Sequence, residues 1–356
     1  MRILIVDDSA FFRRLLGELL AREPGFDVVG EAANGEQAVT LACQLRPDVI
    51  TMDVEMPGLD GISATRQIMA RCPAPILMIS SLTRHGARAT FEALEAGALD
   101  FMAKLDERGE NCLSQQAPLL RAKLRLLAAR RPGLGGGLAA SPRPALGSRA
   151  EPSKARPGAS DCAHVLNPRG IVVIGASTGG PAAVQKLLQN IPASFAAPIL
   201  VVQHMPPMFT QAFAERLDRV VPLKVKEAEA GEQPQAGHVY IAPGGGHTQL
   251  GWQQNKPVFS LREPRPNEHY RPSVDVGFGT AASVYRGDVL AIVLTGMGND
   301  GVLGARALKA VGGKVWAQDR DSSVIYGMPM EVAKAGLADA VMSLDDLASC
   351  LQCCLR

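Results

Sequence analysis

Short runs of β-branched and aliphatic residues alternate with amphipathic stretches along both halves of this chain. In the first half the apolar runs Arg2–Val6, Val28–Ala32, Val49–Met52, Ile76–Ser80 and Leu99–Ala103 predict five strands. Between them the spacing predicts helices over 10–22, 35–45, 61–71 and 86–96, with another over 113–130. Ala38, Leu41, Ala42 and Leu45 fall at i, i+3, i+4 and i+7, one buried helical stripe, and Asn34 is placed to cap it. In the second half Ile171–Ile174, Ile199–Gln203 and Val289–Leu294 read as buried strands, and Leu344, Leu347 and Leu351 mark a last helix. Repeated βα units imply parallel sheets with helices on both faces, where working groups collect at the carboxyl ends of the strands. The fold class expected is α/β, with a flavodoxin-like five-stranded unit first and a larger doubly wound, mostly parallel unit with a small β-hairpin second, joined by a flexible linker.

Composition narrows the class. At 356 residues there is chain enough for two cores, and with only 4% aromatics those cores are aliphatic. A net charge of +2 is too balanced for nucleic-acid binding. No apolar run approaches the ~20 residues of a membrane span, and the start turns acidic at Asp7 and Asp8, too soon for a secretory signal. Seven cysteines, an odd number, suggest reduced thiols and a cytoplasmic location. Cys43, Cys72 and Cys112 read as small apolar fillers. Cys350, Cys353 and Cys354 lack the second ligand pair that zinc would want, and His238, His247 and His269 show no metal spacing. Residues 130–160 hold eleven Pro or Gly, six bases and one acid, without apolar periodicity. This is the composition of a flexible tether, and it divides the chain into 1–125, a linker over 126–167, and 168–356.

Chemistry concentrates at strand ends. After Ile171–Ile174 comes Gly175-Ala176-Ser177-Thr178-Gly179, the G-x-S-x-G spacing of a nucleophile elbow, with Pro181 suited to the first turn of a helix. A serine needs a base and an orienting acid. His204 directly follows the Ile199–Gln203 strand, and Asp300 ends the glycine-rich loop after Val289–Leu294. Singly, His204 reads as an ordinary loop histidine and Asp300 as a helix N-cap worth ~1 kcal/mol. As a set they form a triad in the order serine, histidine, aspartate, which is not the α/β-hydrolase order. In the first half, Asp7, Asp8 and Asp53 follow strands, Ser80 ends the fourth and Lys104 follows the fifth. Three clustered carboxylates repel unless a cation sits among them, and hard oxygen donors suit Mg²⁺.

The first half resembles the receiver domain of two-component response regulators. The resemblance rests on Val6-Asp7-Asp8-Ser9, Met52-Asp53-Val54-Glu55-Met56-Pro57-Gly58, Ile79-Ser80-Ser81 and Phe101-Met102-Ala103-Lys104. It implies Asp53 as phospho-acceptor, Asp7, Asp8, Asp53 and the Glu55 carbonyl as Mg²⁺ ligands, and Ser80 and Lys104 as switch residues. At Leu105 the chain departs from that family, where proline usually follows the lysine, so the Lys104 loop is freer to relax. The second half resembles the catalytic domain of the chemotaxis protein-glutamate methylesterase (CheB) family. The matching motifs are Ile174-Gly175-Ala176-Ser177-Thr178-Gly179-Gly180-Pro181, Gln203-His204-Met205-Pro206, Arg271-Pro272-Ser273-Val274-Asp275 and Leu294-Thr295-Gly296-Met297-Gly298-Asn299-Asp300-Gly301.

That resemblance implies Ser177 as nucleophile, His204 as base, Asp300 as orienting acid, and the Met297 N–H, with Thr178 beside the nucleophile, around the oxyanion. It implies hydrolysis of glutamate methyl esters, and deamidation of glutamines, on chemoreceptors, with no cofactor for the esterase. A chemotaxis histidine kinase would be the phosphodonor, with no nucleic-acid partner and no membrane insertion. The receiver would gate the Ser177 site. Two other readings remain at this stage: a dinucleotide site at Gly175, Gly179 and Gly180, which fits G-x-G-x-x-G poorly, and a non-catalytic docking scaffold switched by phosphorylation.

Overall fold

The computed structural model describes residues 1–104, 113–129 and 169–354. Leu105, Cys112 and nearly all of the expected linker lie outside the described residues. The N-terminal unit runs β1 (Arg2–Val6), α1 (Ala10–Ala21), β2 (Asp27–Ala32), α2 (Gly35–Leu45), β3 (Val49–Asp53), α3 (Gly61–Arg71), β4 (Ile76–Ser81), α4 (Arg84–Glu95), β5 (Asp100–Lys104) and α5 (Leu113–Ala128). Its parallel sheet has the order β2-β1-β3-β4-β5. Along β1 the pleat sends Ile3 and Ile5 toward α1 and α5, and Leu4 and Val6 toward α2 and α3. Asn34 caps α2 by accepting the Gln37 N–H (2.9 Å), as its position predicts.

The second unit continues β6 (Ile171–Ala176), α6 (Gly180–Gln189), β7 (Ile199–Gln203), α7 (Pro207–Val220), β8 (Lys224–Glu227) and β9 (His238–Ile241). A hairpin of β10 (His247–Gln253) and β11 (Lys256–Arg262) precedes α8 (Val274–Tyr285), β12 (Val289–Val293), α9 (Val302–Ala310), β13 (Lys314–Gln318), α10 (Met328–Lys334), β14 (Ala340–Met342) and α11 (Leu344–Cys353). The main sheet has the order β14-β13-β12-β6-β7-β9-β8, with every pairing parallel. Strand order reverses at β6, so the loops after β6, β7 and β12 open into one crevice, the place where doubly wound sheets hold their sites.

An apolar seam joins α4 and β5 to α7, and Ile325 of the second unit packs into the cluster of α1 and α5. Phe91 of α4 stacks on Phe213 of α7 (5.3 Å between centroids), and Phe101 of β5 stacks on Phe209 (4.7 Å). All four rings are buried. At the rim Arg88 donates to Glu215 (2.6 Å), and Arg216 pairs with Glu95.

The cysteines correct the expectation of reduced thiols. Cys43 and Cys72 are not separate apolar fillers but a disulfide, because α2 and α3 lie side by side and bring their ends to a Cα separation of 5.3 Å. Cys350 is also disulfide-bonded, whereas Cys353 and Cys354 are free thiols. No helix among the described residues is long and apolar enough to cross a membrane.

Candidate active site

β6 ends at Ala176, and the chain turns through Ser177, Thr178 and Gly179 into α6. Ser177 N–H donates to Thr295 O (3.1 Å), while Ser177 O accepts from Gly180 N–H (2.8 Å) and the Gln203 amide (2.8 Å). The buried Thr295 hydroxyl donates to Thr178 O (2.9 Å) and accepts from Ile325 N–H (2.8 Å). Gly179 has φ +75°, and a Cβ there would overlap Val324, so only glycine fits the turn. With its own N–H committed, Ser177 leaves the oxyanion to its neighbours. The Thr178 and Met297 N–H groups meet no acceptor among the described residues, and both residues line the cavity that holds Ser177.

His204 directly follows β7. Its ring stacks on Tyr270 at 4.7 Å and 18°, and its Nε2 lies 2.8 Å from Asp300 Oδ2. Asp300, in the loop before α9, is buried against the start of α8, where it accepts from Val274 N–H (2.7 Å), Asp275 N–H (2.9 Å) and the Ser273 hydroxyl (3.0 Å). Burial pushes its pKa up, but the hydrogen bond and charge of His204, with these N–H groups, hold the carboxyl below its ordinary range. An ionised Asp300 fixes the His204 proton on Nε2 and leaves the lone pair on Nδ1. No hydrogen bond joins the Ser177 hydroxyl to His204 among the described residues; in resting sites this contact is often long and tightens with substrate.

The N-terminal unit closes the crevice. β5 and α5 face Ser177 and His204 across a cavity of about 450 Å³. Lys123 of α5 reaches over it, donating to Thr178 Oγ1 (3.2 Å) and to the buried Asp100.

In the N-terminal sheet Asp7, Asp8 and Asp53 bring one carboxylate oxygen each to within 4.8 Å of one another. Lys104 Nζ sits 2.8 Å from Asp7 and 2.9 Å from Asp53. Burial, with the Asp7 and Asp8 charges, raises the Asp53 pKa to about 6 against the opposing pull of Lys104. Asp7 Oδ2 is buried without a well-angled donor, and Asp8 is open to solvent, so this all-oxygen set fits a small hard dication. Ser80, next to last in β4, donates its hydroxyl to Gly86 O (3.1 Å) in the first turn of α4, and Glu55 is exposed.

Residues 172–351 match the CheB methylesterase family, and residues 3–110 match the response regulator receiver domain. The chain is 44% identical to a protein-glutamate methylesterase/protein-glutamine glutaminase of Vibrio vulnificus, covering 98% of this chain and 97% of that one. The chain belongs to the CheB methylesterase family. A counterpart of Pseudomonas putida is 45% identical over 98% and 97% of the two chains. The Thermotoga maritima CheB methylesterase catalytic domain superposes with a TM-score of 0.51 at 45% identity, covering 52% of this chain and 97% of that one.

Within this CheB-family chain, the structure brings His204 and Asp300 together beside the Ser177 turn, and Asp7, Asp8, Asp53 and Lys104 into one pocket. Sequence reasoning missed Tyr270, Lys123 and Gln203 as site residues. Gln203 and the residues after Tyr270 stood inside motifs already noticed, but nothing local marks Lys123, which acts on the other domain.

Proposed function

We propose that Ser177, His204 and Asp300 carry the hydrolysis of this enzyme, a protein-glutamate methylesterase and protein-glutamine glutaminase with an N-terminal receiver domain. The observation carrying this reading is the 2.8 Å His204–Asp300 pair beside the glycine-bound Ser177 turn, in a crevice roofed by the receiver. Ser177 Oγ attacks the side-chain carbonyl of a glutamyl methyl ester while His204 Nδ1 takes its proton. The Thr178 and Met297 N–H groups receive the oxyanion, where one lost donor typically costs ~10²–10³ in rate. His204 returns the proton to the leaving methanol, and water then frees the glutamate. The same route releases ammonia from glutamine. Asp300 stays ionised and holds the ring in place.

The substrates are methylated chemoreceptors and the phosphodonor a chemotaxis histidine kinase, in the cytoplasm. The chain divides into a receiver over 1–125, a linker over 126–167 and a catalytic domain over 168–356. Asp7, Asp8, Asp53 and the Glu55 carbonyl would hold Mg²⁺, whose charge offsets that of a phosphoryl group on Asp53. A phosphoryl oxygen offers Ser80 a stronger acceptor than Gly86 O. Gly86 lies in the first turn of α4, the helix that carries Arg88, Phe91 and Glu95 against α7, so a change there reaches the seam.

The test is methanol release from methylated chemoreceptor membranes by wild type and Ser177→Ala, with and without acetyl phosphate and Mg²⁺. Release that needs Ser177 and rises with the phosphodonor is expected. Release without stimulation would reject the gate, and none from folded protein would reject the esterase.

A further inference from the structure

We infer that His247, lodged beside Glu268, is a positioning residue that sets the start of α8 and, through it, the aim of Asp300 at His204. This deepens the esterase reading and rests on it.

His247 opens β10 with its side chain fully buried. Its Nδ1 accepts the Ser273 N–H at 3.2 Å. Ser273 is the N-cap of α8, and its hydroxyl donates to Asp300 Oδ1 (3.0 Å). The next two N–H groups, of Val274 and Asp275, also end on Asp300. The carboxylate that orients His204 is therefore itself oriented by three consecutive residues, and His247 fixes the first of them. Because Nδ1 accepts, the ring proton is on Nε2, which lies 3.0 Å from Glu268 Oε2 at an angle poor for a hydrogen bond. Glu268 is anchored by both Arg262 nitrogens (2.7 and 2.6 Å) and by Arg265 N–H (2.7 Å).

The groups facing His247 keep it neutral. Burial and then the Arg262 charge lower its pKa, outweighing Glu268 and Asp300, which raise it. A charged ring would turn Nδ1 into a donor against the Ser273 N–H and unseat the cap. His247 touches no reacting atom; it acts through Ser273 and Asp300, as outer partners of a working histidine commonly do.

The test uses the full chain with acetyl phosphate and Mg²⁺, comparing wild type, His247→Ala and His247→Asn, with Ser177→Ala as blank. An asparagine oxygen can accept the Ser273 N–H; alanine offers nothing. His247→Ala is expected to lose roughly 10-fold or more in kcat with KM nearly unchanged, and His247→Asn to regain most of it. The low-field proton resonance of His204 Nε2–H, which reports the bond to Asp300, should be lost in the alanine variant and kept in the asparagine one. A folded alanine variant with wild-type kcat and resonance overturns the inference, and so does an asparagine variant as impaired as alanine. Should wild type match the Ser177→Ala blank, the esterase reading fails, and the resonance alone then decides the positioning claim.

Discussion

Asp275 and Asp300 each cap the helix that the other belongs to or adjoins. Asp300 accepts the N–H groups that begin α8, while Asp275, in the first turn of α8, accepts Gly301 N–H (2.9 Å) and Gly304 N–H (2.7 Å) at the start of α9. The exchange locks the two helices, but it sets two carboxylates side by side. Asp300, bonded to His204, stays ionised. Burial and the Asp300 charge push Asp275 up to about 6, against the pull of its two N–H donors.

A folded pKa above the unfolded value means that the native chain holds this proton more tightly. The stabilisation is therefore complete below the unfolded value of 3.8 and gone once pH rises past about 6. Asp275→Asn keeps the acceptor oxygen and drops the charge. It is expected to raise the melting temperature near pH 8 and to change little near pH 4. A gain that is larger in acid would contradict this account.

Asp300→Asn removes the charge that fixes the His204 tautomer and puts an amide where four donors converge. Loss of about 10³–10⁴ in kcat is expected, on the scale of the same change in a serine protease triad. Steady-state methanol release by the phosphorylated enzyme measures it; a loss under tenfold would remove Asp300 from its proposed role.

Lys123 of α5 donates to the Thr178 hydroxyl beside the nucleophile. Lys123→Ala deletes its bonds to Thr178 and Asp100. A charged hydrogen bond is worth about 1.5–3 kcal/mol, so unphosphorylated activity is expected to rise by roughly tenfold, and stimulation by acetyl phosphate to shrink in proportion. Labelling of Ser177 by a fluorophosphonate provides a second readout, and unchanged labelling with unchanged activity would count against the latch.

Removing Mg²⁺ with chelator is expected to abolish stimulation by acetyl phosphate and leave basal hydrolysis untouched, because the acid pocket and the triad lie in different sheets. Asp53→Asn should reproduce the result with Mg²⁺ present. Basal loss on chelation would place a metal requirement in the esterase itself.

The first sheet was legible because its strands are short apolar runs and its helices carry clean stripes, with ends that moved by a residue or two; of the seven strands of the second sheet only the three buried runs β6, β7 and β12 were legible, while the short strands β8, β9, β13 and β14 were not. Ser177, His204 and Asp300 were legible for a physical reason, since a parallel sheet forces working groups to strand ends. Lys123 and the stacked phenylalanines were not, because an interface between domains leaves no period in either one. The Cys43–Cys72 bridge was missed because its partners are 29 residues apart on separate helices, and only the packing of α2 on α3 brings them together. His247 offered the sequence no signal beyond its lack of metal spacing, because its neighbours Ser273 and Glu268 lie more than 20 residues downstream.

The seam between the domains is apolar, with four buried phenyl rings where α4 and β5 meet α7, and such a clamp has a temperature of its own. Apolar association weakens on cooling, whereas the bond-making barrier grows relative to thermal energy. Repression is therefore expected to leak in the cold: as temperature falls, basal turnover should decline less steeply than turnover of the phosphorylated enzyme. In a cell facing a cold shock, receptor demethylation would then depend less on the kinase than it does in warmth.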